Sequence, residues 1–363
     1  MAVDTQALLR ALQTVPDPNT GLDFVSTKAI QGLRCEGGAV SFVLELGYPA
    51  QSQWPALRQA LERAALEVPG VEAVAVEVSG RVLAHAATRG VPLMPGVKNV
   101  LAVASGKGGV GKSTTAVNLA LALAAEGARV GLLDADIYGP SLPLLMGLQG
   151  RPESHDGKTM EPLIGHGVQV NSIGFLVEPG QAVIWRGPMA TQALDQLLRQ
   201  THWQELDYLI VDLPPGTGDI HLSLVQRSPL TAAVIVTTPQ DVALLDARKG
   251  ISMFEKVGVP VLGLIENMAV YHCPQCGHEA HIFGSEGGHR MAAELKLPYL
   301  GAMPLHLQIR EQSDRGLPVV VAEPHGELAG RYLALARQVG AALARLGKDY
   351  SSRLPGVRVQ GKD

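Results

Sequence analysis

Residues 100–115 constrain this chain more than any other stretch, because an apolar run leads directly into a glycine-rich loop. Residues 106–113 read Gly-Lys-Gly-Gly-Val-Gly-Lys-Ser and match the pattern G-x-x-x-x-G-K-[ST] in full. The pattern lies between a strand-like segment and a helix-like segment, which is the context that a phosphate-binding loop requires. The sequence therefore predicts a nucleotide site at this loop.

The loop supplies both backbone donors and side-chain ligands. Its glycines let backbone N–H groups point inward to phosphate oxygens, and the following helix adds its positive N-terminal end. We expect Lys112 to reach the β- and γ-phosphates of ATP and Ser113 to place its hydroxyl on Mg²⁺. The predicted nucleotide-binding residues of the loop are Gly106, Lys107, Gly108, Gly109, Val110, Gly111, Lys112, Ser113 and Thr114.

Lys107 gives the loop a second lysine, directly after its first glycine. This arrangement resembles the deviant phosphate loop of an ATPase class that includes the nitrogenase iron protein and the division and partition ATPases. The resemblance implies that Lys107 reaches across a dimer interface to the nucleotide of the partner. A cation supplied in this way stabilises developing phosphate charge as an arginine finger does.

Two further strand-like segments lead to carboxylates. Asp134 and Asp136 follow the apolar run 128–133, and Asp212 ends the run 206–212. Carboxylates at the C-terminal edge of a parallel sheet lie beside the nucleotide crevice. We assign positioning of the attacking water to Asp136, and support of the Mg²⁺ shell to Asp134 and, through water, to Asp212. With Lys107 and Lys112, these three residues are the predicted catalytic set.

Two more segments are expected to face the nucleotide. The run 214–218, Pro-Pro-Gly-Thr-Gly, is a candidate switch that senses the γ-phosphate. Asn267 follows the predicted strand 261–266, and its amide has both donors and an acceptor for an adenine edge.

The alternation of helices with buried strands predicts an α/β fold over residues 98–346. We expect a doubly wound, mostly parallel sheet of the P-loop NTPase type. The segment 147–167 is irregular and polar, a strand is expected at 168–175, and a helix is expected to open at 184–190 and run to Arg199.

A small α+β domain is predicted at residues 1–84, followed by a linker over 85–97 and a polar tail over 347–363. Its predicted elements are helices at 4–15 and 54–67 and strands at 38–46 and 71–78. Through residues 17–26 it resembles the small iron–sulfur assembly domain often found ahead of an ATPase. Many relatives of that domain carry a reactive cysteine where this chain has Tyr48. Cys35 is expected to be a partly buried thiol in a turn-like segment, 32–38.

Composition excludes several classes of protein. The chain has 363 residues, a net charge of −4 and 4% aromatic residues, which indicates neither nucleic acid nor a membrane surface as partner. It has no apolar run of about 18 residues, so we expect no membrane span, and residues 1–6 are not typical of a secretion signal, so we expect none. Its three cysteines, two of them closely paired, favour a reducing compartment and a metal or redox role. We expect a cytoplasmic protein.

Cys273 and Cys276 form a Cys-Pro-Gln-Cys motif for which three interpretations compete. A zinc knuckle needs four ligands, and His278 and His281 would have to complete it at cramped spacing. A thioredoxin-like redox pair would require a different βαβ setting. Half of an iron–sulfur site is the third: a [4Fe–4S] cluster takes four thiolates, which two identical subunits supply. We favour the third, because the same dimer also accounts for Lys107.

Several segments together resemble the Mrp/ApbC-type iron–sulfur cluster carrier ATPases. The resemblance covers residues 98–345 and implies ATP binding and hydrolysis, homodimerisation, and a transient cluster handed from a donor to apo-proteins. Two alternatives remain: a redox ATPase with a permanent cluster, and a partition or positioning ATPase. The segments that carry the resemblance are 106–113, 134–141, 185–189, 207–219, 237–242, 266–268, 273–276 and 282–288.

Overall fold

The computed structural model describes residues 3–87, 91, 94–177 and 187–347. The predicted helix start at 184–186, five positions of the predicted linker (88–90, 92 and 93) and the tail from 348 onward lie outside the described residues. Among the helices that are described, none combines the length and apolar character needed to cross a membrane.

The N-terminal part is a small sheet with two helices. Strands β1 (Ile30–Glu36) and β2 (Ala39–Leu46) are antiparallel, and β3 (Ala73–Gly80) pairs with β2 in parallel. Helices α1 (Thr5–Gln13) and α2 (Trp54–Leu66) pack against this sheet through the buried side chains of Leu8, Leu12, Leu57 and Leu61. The turn predicted around Cys35 is wrong: Cys35 lies in β1 opposite Val40, because a tight turn at residues 37–38 joins β1 to β2.

The larger part is built on an eight-stranded sheet with the order β13-β10-β9-β4-β8-β5-β7-β6. All of its pairings are parallel except that of β6 with β7, so the predicted α/β class and mostly parallel sheet are confirmed. A separate hairpin joins β11 to β12. The strands are β4 (Val100–Ala104), β5 (Val130–Asp134), β6 (Leu163–Gly165), β7 (Val168–Ser172), β8 (Tyr208–Asp212), β9 (Ala232–Thr237), β10 (Val261–Glu266), β11 (Tyr271–His272), β12 (Glu279–Ala280) and β13 (Tyr299–Ala302).

Helices cover both faces of this sheet, as double winding requires. In β4, Leu101 and Val103 face one hydrophobic core, whereas Val100, Ala102 and Ala104 face the other. This alternation arises because successive side chains of a strand point to opposite faces. The helices are α3 (Lys112–Ala125), α4 (Leu142–Leu145), α5 (Gly187–Arg199), α6 (Asp219–Arg227), α7 (Asp241–Lys256), α8 (Gly287–Leu295), α9 (Leu307–Asp314), α10 (Val319–Ala322) and α11 (Glu327–Ala344).

One segment differs from its sequence prediction, and the predicted linker begins with a buried residue. The segment 147–167 is not irregular throughout, because its end forms β6, a short antiparallel edge strand on β7. His85, at the start of the predicted linker, is only 2% exposed, and Asn99 Oδ1 lies 3.1 Å from its backbone N and 3.0 Å from its Nδ1. The chain is therefore still packed against the rest of the protein at residue 85, after the last strand of the small sheet.

A polar cluster centred on the buried Glu126 joins the two parts of the chain. Glu126, directly after α3, accepts hydrogen bonds from Ser52 N at 2.9 Å and from Ser52 Oγ at 2.7 Å. Arg337 of α11 forms an ion pair with the same carboxylate and donates to Ser52 Oγ at 3.0 Å. We call Ser52, Glu126 and Arg337 the interdomain clamp. It holds the N-terminal part against the C-terminal end of the helix that follows the phosphate-binding loop.

Candidate nucleotide site and cysteine hairpin

The glycine-rich loop occupies residues 105–111, between β4 and α3. Gly109 and Gly111 have φ angles of +81° and +78°, a region that side chains other than glycine rarely adopt. A Cβ added at Gly106 would lie 2.1 Å from the backbone carbon of Asp246 in α7. The glycines are therefore needed both for the turn and for the close approach of α7.

Lys112 and Asp212 form a buried ion pair at the centre of the site. The Lys112 ammonium also lies 3.2 Å from Ser113 Oγ. Asp212 is fully buried, and its Oδ2 has no hydrogen-bond partner among the described residues. An unpaired carboxylate oxygen beside a serine hydroxyl fits Mg²⁺ and its water, because hard cations take oxygen ligands.

Asp134 is also fully buried, but its carboxylate is held by other groups. Its Oδ2 accepts from Ser141 N at 3.0 Å, Leu142 N at 3.1 Å and Ser172 Oγ at 3.0 Å. Burial and the neighbouring Asp212 charge raise the pKa of Asp134 to about 7. The side chain anchors the start of α4, and its support of the Mg²⁺ shell stays a prediction.

Asp136 is less enclosed than Asp134 and accepts a hydrogen bond from Gly139 N at 3.3 Å. Partial burial raises its pKa, and the Lys112 charge opposes that rise. A half-buried carboxylate near Lys112 is suited to orient a water molecule.

Lys107 is likewise half-buried, and its carbonyl accepts from Ser105 Oγ at 2.9 Å. Its predicted role concerns a second subunit and stays a prediction.

The run 214–218 lies beside the loop, as a switch segment must. Gly216 N donates to Ser105 O at 3.0 Å, and Leu213 N donates to Val103 O at 3.1 Å. Neither the next helix, α6, nor His221 within it was predicted from the sequence. His221 is 4% exposed, and neither ring nitrogen has a partner among the described residues. Burial, with a smaller contribution from Lys112, lowers the pKa of His221 to about 4.

Asn267 lies under the loop. Its Nδ2 donates to Val110 O at 2.8 Å, and its backbone N donates to Thr237 O at 2.8 Å. A Cβ at Gly111 would be 2.2 Å from the same Nδ2. The side-chain amide therefore contacts the loop backbone, and the predicted contact with adenine stays a prediction.

Cys273 and Cys276 lie in the turn between β11 and β12, which we call the cysteine hairpin. Both thiols are free; Cys273 is half-buried and Cys276 is exposed. Hydrogen bonds from the backbone of Gln275 and Cys276 lower the pKa of the Cys273 thiol. This favours the thiolate, which is the form that ligates metals.

The zinc interpretation gains no support from the geometry. His281 Nδ1 lies 2.9 Å from Ala269 O at the base of the hairpin. Across the described ranges, no group of three or more His, Cys, Asp and Glu side chains is arranged to hold a metal ion. A single copy of the hairpin therefore offers two thiols, and Cys35 lies in the N-terminal sheet.

The sheet order, the loop with two lysines and the carboxylates at the strand ends define a P-loop NTPase of the deviant class. The family of NUBPL iron-transfer P-loop NTPases matches residues 96–340, and the family of iron–sulfur cluster assembly proteins matches residues 5–78. The chain belongs to the family of iron–sulfur cluster carrier P-loop NTPases, and it has an N-terminal assembly-type domain.

Individual relatives agree with this assignment. The iron–sulfur cluster carrier protein of Escherichia coli strain K12 is 48% identical over 327 residues, which cover 90% of this chain and 89% of that protein. The iron–sulfur cluster transfer protein NUBPL of Mus musculus is 55% identical over 257 residues, covering 69% and 81% of the two chains. A nucleotide-binding protein of Archaeoglobus fulgidus, solved with ADP, superposes with a TM-score of 0.57 at 36% identity and covers 65% of this chain and 93% of its own.

Proposed function

We propose that this chain carries iron–sulfur clusters to apo-proteins, with ATP binding and hydrolysis gating the transfer. Two copies of the chain hold one [4Fe–4S] cluster between their cysteine hairpins. The observation that carries the proposal is a pair of free cysteines, one exposed and one half-buried, in a hairpin that follows Asn267 of the phosphate-binding domain.

Exposure of the cysteines supports transient binding of a cargo. Cys276 is open to solvent and Cys273 is half-buried, so an acceptor protein has access to both sulfur atoms. A permanent redox cluster is better served by thiolates shielded from competing ligands. The geometry thus favours a carrier over a redox ATPase.

The number of ligands supports a dimer. A cubane cluster commonly takes four thiolates, and one hairpin supplies Cys273 and Cys276 alone. A twofold axis that brings two hairpins together completes the site. The same pairing gives Lys107 a partner nucleotide to reach.

On the nucleotide side, Lys112 exchanges Asp212 for the β- and γ-phosphates when ATP binds. Ser113 and Asp212, whose Oδ2 has no partner among the described residues, would hold Mg²⁺ and its water. The ion, when bound, neutralises charge on the phosphate oxygens. Asp136 orients the attacking water, Asp134 holds the 135–142 segment, and Lys107 of the second copy stabilises the leaving charge.

The test is the iron and sulfide content of protein reconstituted without oxygen. We expect about four irons per dimer, with loading lost in Cys273→Ser and in Cys276→Ser, because the remaining ligands cannot complete a four-thiolate site. Cys35→Ser is the matched control and loads normally. Four irons in a monomer, or tightly held colourless zinc lost on replacing His278 or His281, contradicts the proposal.

Two further outcomes identify the alternative functions. A stable, reversibly reducible cluster that never leaves during turnover with apo-acceptors indicates a redox ATPase. Co-sedimentation with liposomes or plain DNA in the ATP state indicates a partition or positioning ATPase.

A further inference from the structure

Five residues, 268–272, separate Asn267, which contacts the nucleotide loop, from Cys273. We propose that Asn267 is the positioning residue through which nucleotide occupancy sets the exposure of the two hairpin cysteines. This inference rests on the proposed function, because it names how the gate at the cysteine hairpin is operated.

The contact between Asn267 and the phosphate-binding loop is tightly packed. Asn267 is 7% exposed and its Nδ2 donates to Val110 O at 2.8 Å. Gly111, the next residue of the loop, has no space for a Cβ because the same nitrogen would lie 2.2 Å from it. A rotation of the Val110–Gly111 peptide therefore displaces the Asn267 side chain.

Such a rotation is expected when phosphate binds. The loop binds phosphate through backbone N–H groups, and those of residues 109–111 are turned by the left-handed conformations of Gly109 and Gly111. Reorienting the Gly111 N–H group moves Val110 O with it, because both atoms belong to one planar peptide unit. A change in the loop therefore moves Val110 O, which accepts the hydrogen bond from Asn267.

The next residue, Met268, has a strained backbone conformation, and its side chain lies against the loop. Met268 has a φ of +56°, although it is not a glycine, and its Cε lies 3.6 Å from the position of a Cβ at Gly111. A left-handed residue with a side chain persists only where its surroundings enforce it. Here the surroundings are the nucleotide loop itself.

The remaining residues pass the displacement to the hairpin. Ala269 N donates to Met303 O at 3.0 Å, and Leu305 N donates to Val270 O at 2.8 Å. Tyr271 then begins the hairpin, whose base is closed by His281 Nδ1 at 2.9 Å from Ala269 O. Residues 267–272 thus form a track from the loop to Cys273, along which Asn267, Ala269 and Val270 are hydrogen-bonded to neighbouring segments.

The experiment measures alkylation rates of Cys273 and Cys276 by iodoacetamide in cluster-free protein, resolved by peptide mass spectrometry. Rates are compared without nucleotide, with Mg-ADP, and with a non-hydrolysable ATP analogue at saturating concentration for each variant. Cys35, in the N-terminal sheet, is the internal reference. We expect nucleotide to change the hairpin rates by about fivefold or more, a typical size for coupling between sites.

Asn267→Ala is expected to remove this nucleotide dependence, and Gln308→Ala, which deletes an amide near the hairpin but off the track, to retain it. If Asn267→Ala no longer binds nucleotide, Met268→Gly decides, because it frees the strained residue and keeps the Asn267 donor. Met268→Gly should reduce the nucleotide-dependent change in alkylation rate to less than about half of the wild-type change, with nucleotide affinity unchanged.

Nucleotide-independent rates in the wild type, or an unchanged response in the deciding variant, overturn the inference. Because no cluster is present, the result is independent of iron loading. Failure of this coupling is therefore distinguishable from failure of the carrier function.

Discussion

Asp134 and Asp212 are register partners at the carboxyl ends of the adjacent strands β5 and β8, and both are fully buried. The Lys112 ammonium contacts Asp212, whereas Asp134 accepts hydrogen bonds from the 141–142 backbone and Ser172. When two buried carboxylates lie this close, burial and the like charge of the neighbour both disfavour ionisation of the second one.

The first prediction is that Asp134 makes stability depend on pH. Its pKa is about 7 in the folded protein against 3.8 as the reference value, so the folded state binds the proton more tightly. The stabilisation is present at low pH and is lost as pH rises toward about 7, at no more than about 1.4 kcal/mol per pH unit. Urea unfolding at pH 5 to 8 should show wild type losing stability relative to Asp134→Asn as pH rises.

His221 makes stability depend on pH in the opposite direction. The pH dependence of wild type is therefore compared with that of Asp134→Asn. The pKa of His221, about 4 in the folded protein, lies below its reference value of 6.5. It therefore destabilises the folded state as pH falls through that window. Both proteins in the comparison contain His221, so its effect cancels. A difference in stability between them that does not vary with pH contradicts the role given to Asp134.

Lys112→Ala is predicted to lose nucleotide binding and also to lose stability. Removing the ammonium leaves Asp212 as an unpaired buried charge, which costs about 3–5 kcal/mol. The double variant Lys112→Ala/Asp212→Asn should recover much of that stability without recovering nucleotide binding. Fluorescent-nucleotide titration and urea unfolding measure the two effects separately. Binding at wild-type affinity in either variant contradicts the assignment.

Lys107→Ala is predicted to bind ATP but to hydrolyse it about a hundredfold more slowly, the usual loss on removing one transition-state donor. Mixing it with Lys112→Ala tests whether the lysine acts in trans. In the mixed dimer the Lys107→Ala copy binds ATP and its partner supplies Lys107, so activity should reappear. No recovery in demonstrated mixed dimers means that Lys107 acts within its own subunit.

Breaking the interdomain clamp is predicted to lower the stability of the protein strongly, although the clamp lies far from the nucleotide site. Glu126→Leu leaves Arg337, whose side chain is 13% exposed, without its carboxylate, so we expect a loss of about 3 kcal/mol. Glu126→Leu/Arg337→Met should be markedly more stable than the single variant. The matched control is Glu327→Ala, which breaks the exposed pair with Arg331 and should cost less than about 1 kcal/mol. Equal losses from both single variants contradict the buried-pair argument.

The sequence predicted the central sheet well, because its strands are continuous apolar runs and the glycine loop fixes their role. Elements with weaker signals were missed. β1 contains Gly32 and a bulge between Gln31 and Arg34, so its alternation is broken. β6 is three residues long, and α6 directly follows the glycine-rich run 214–218.

Spacing predicted that Lys112, Ser113 and Asp212 lie at one site, and in the structure Lys112 contacts both of the others, while their roles stay predictions. It did not show that Asn267 contacts the loop backbone. It also did not reveal the buried His221, since a histidine on an amphipathic helix gives no sign of which ring atoms lack partners. Such contacts depend on the tertiary arrangement of α6, β10 and the loop, which no local pattern encodes.

The core of the N-terminal unit is completed from the opposite end of the chain: Ala341 and Ala344 of α11 pack among residues of the small sheet and its helices. During synthesis, roughly 260 residues must be added after β3 before Ala341 exists, which takes about 10–50 s at usual elongation rates. The N-terminal unit therefore leaves the ribosome first but closes its core last. Until α11 arrives, the face that it covers is open to chaperones, and the order of translation is the reverse of the order in which this core is finished.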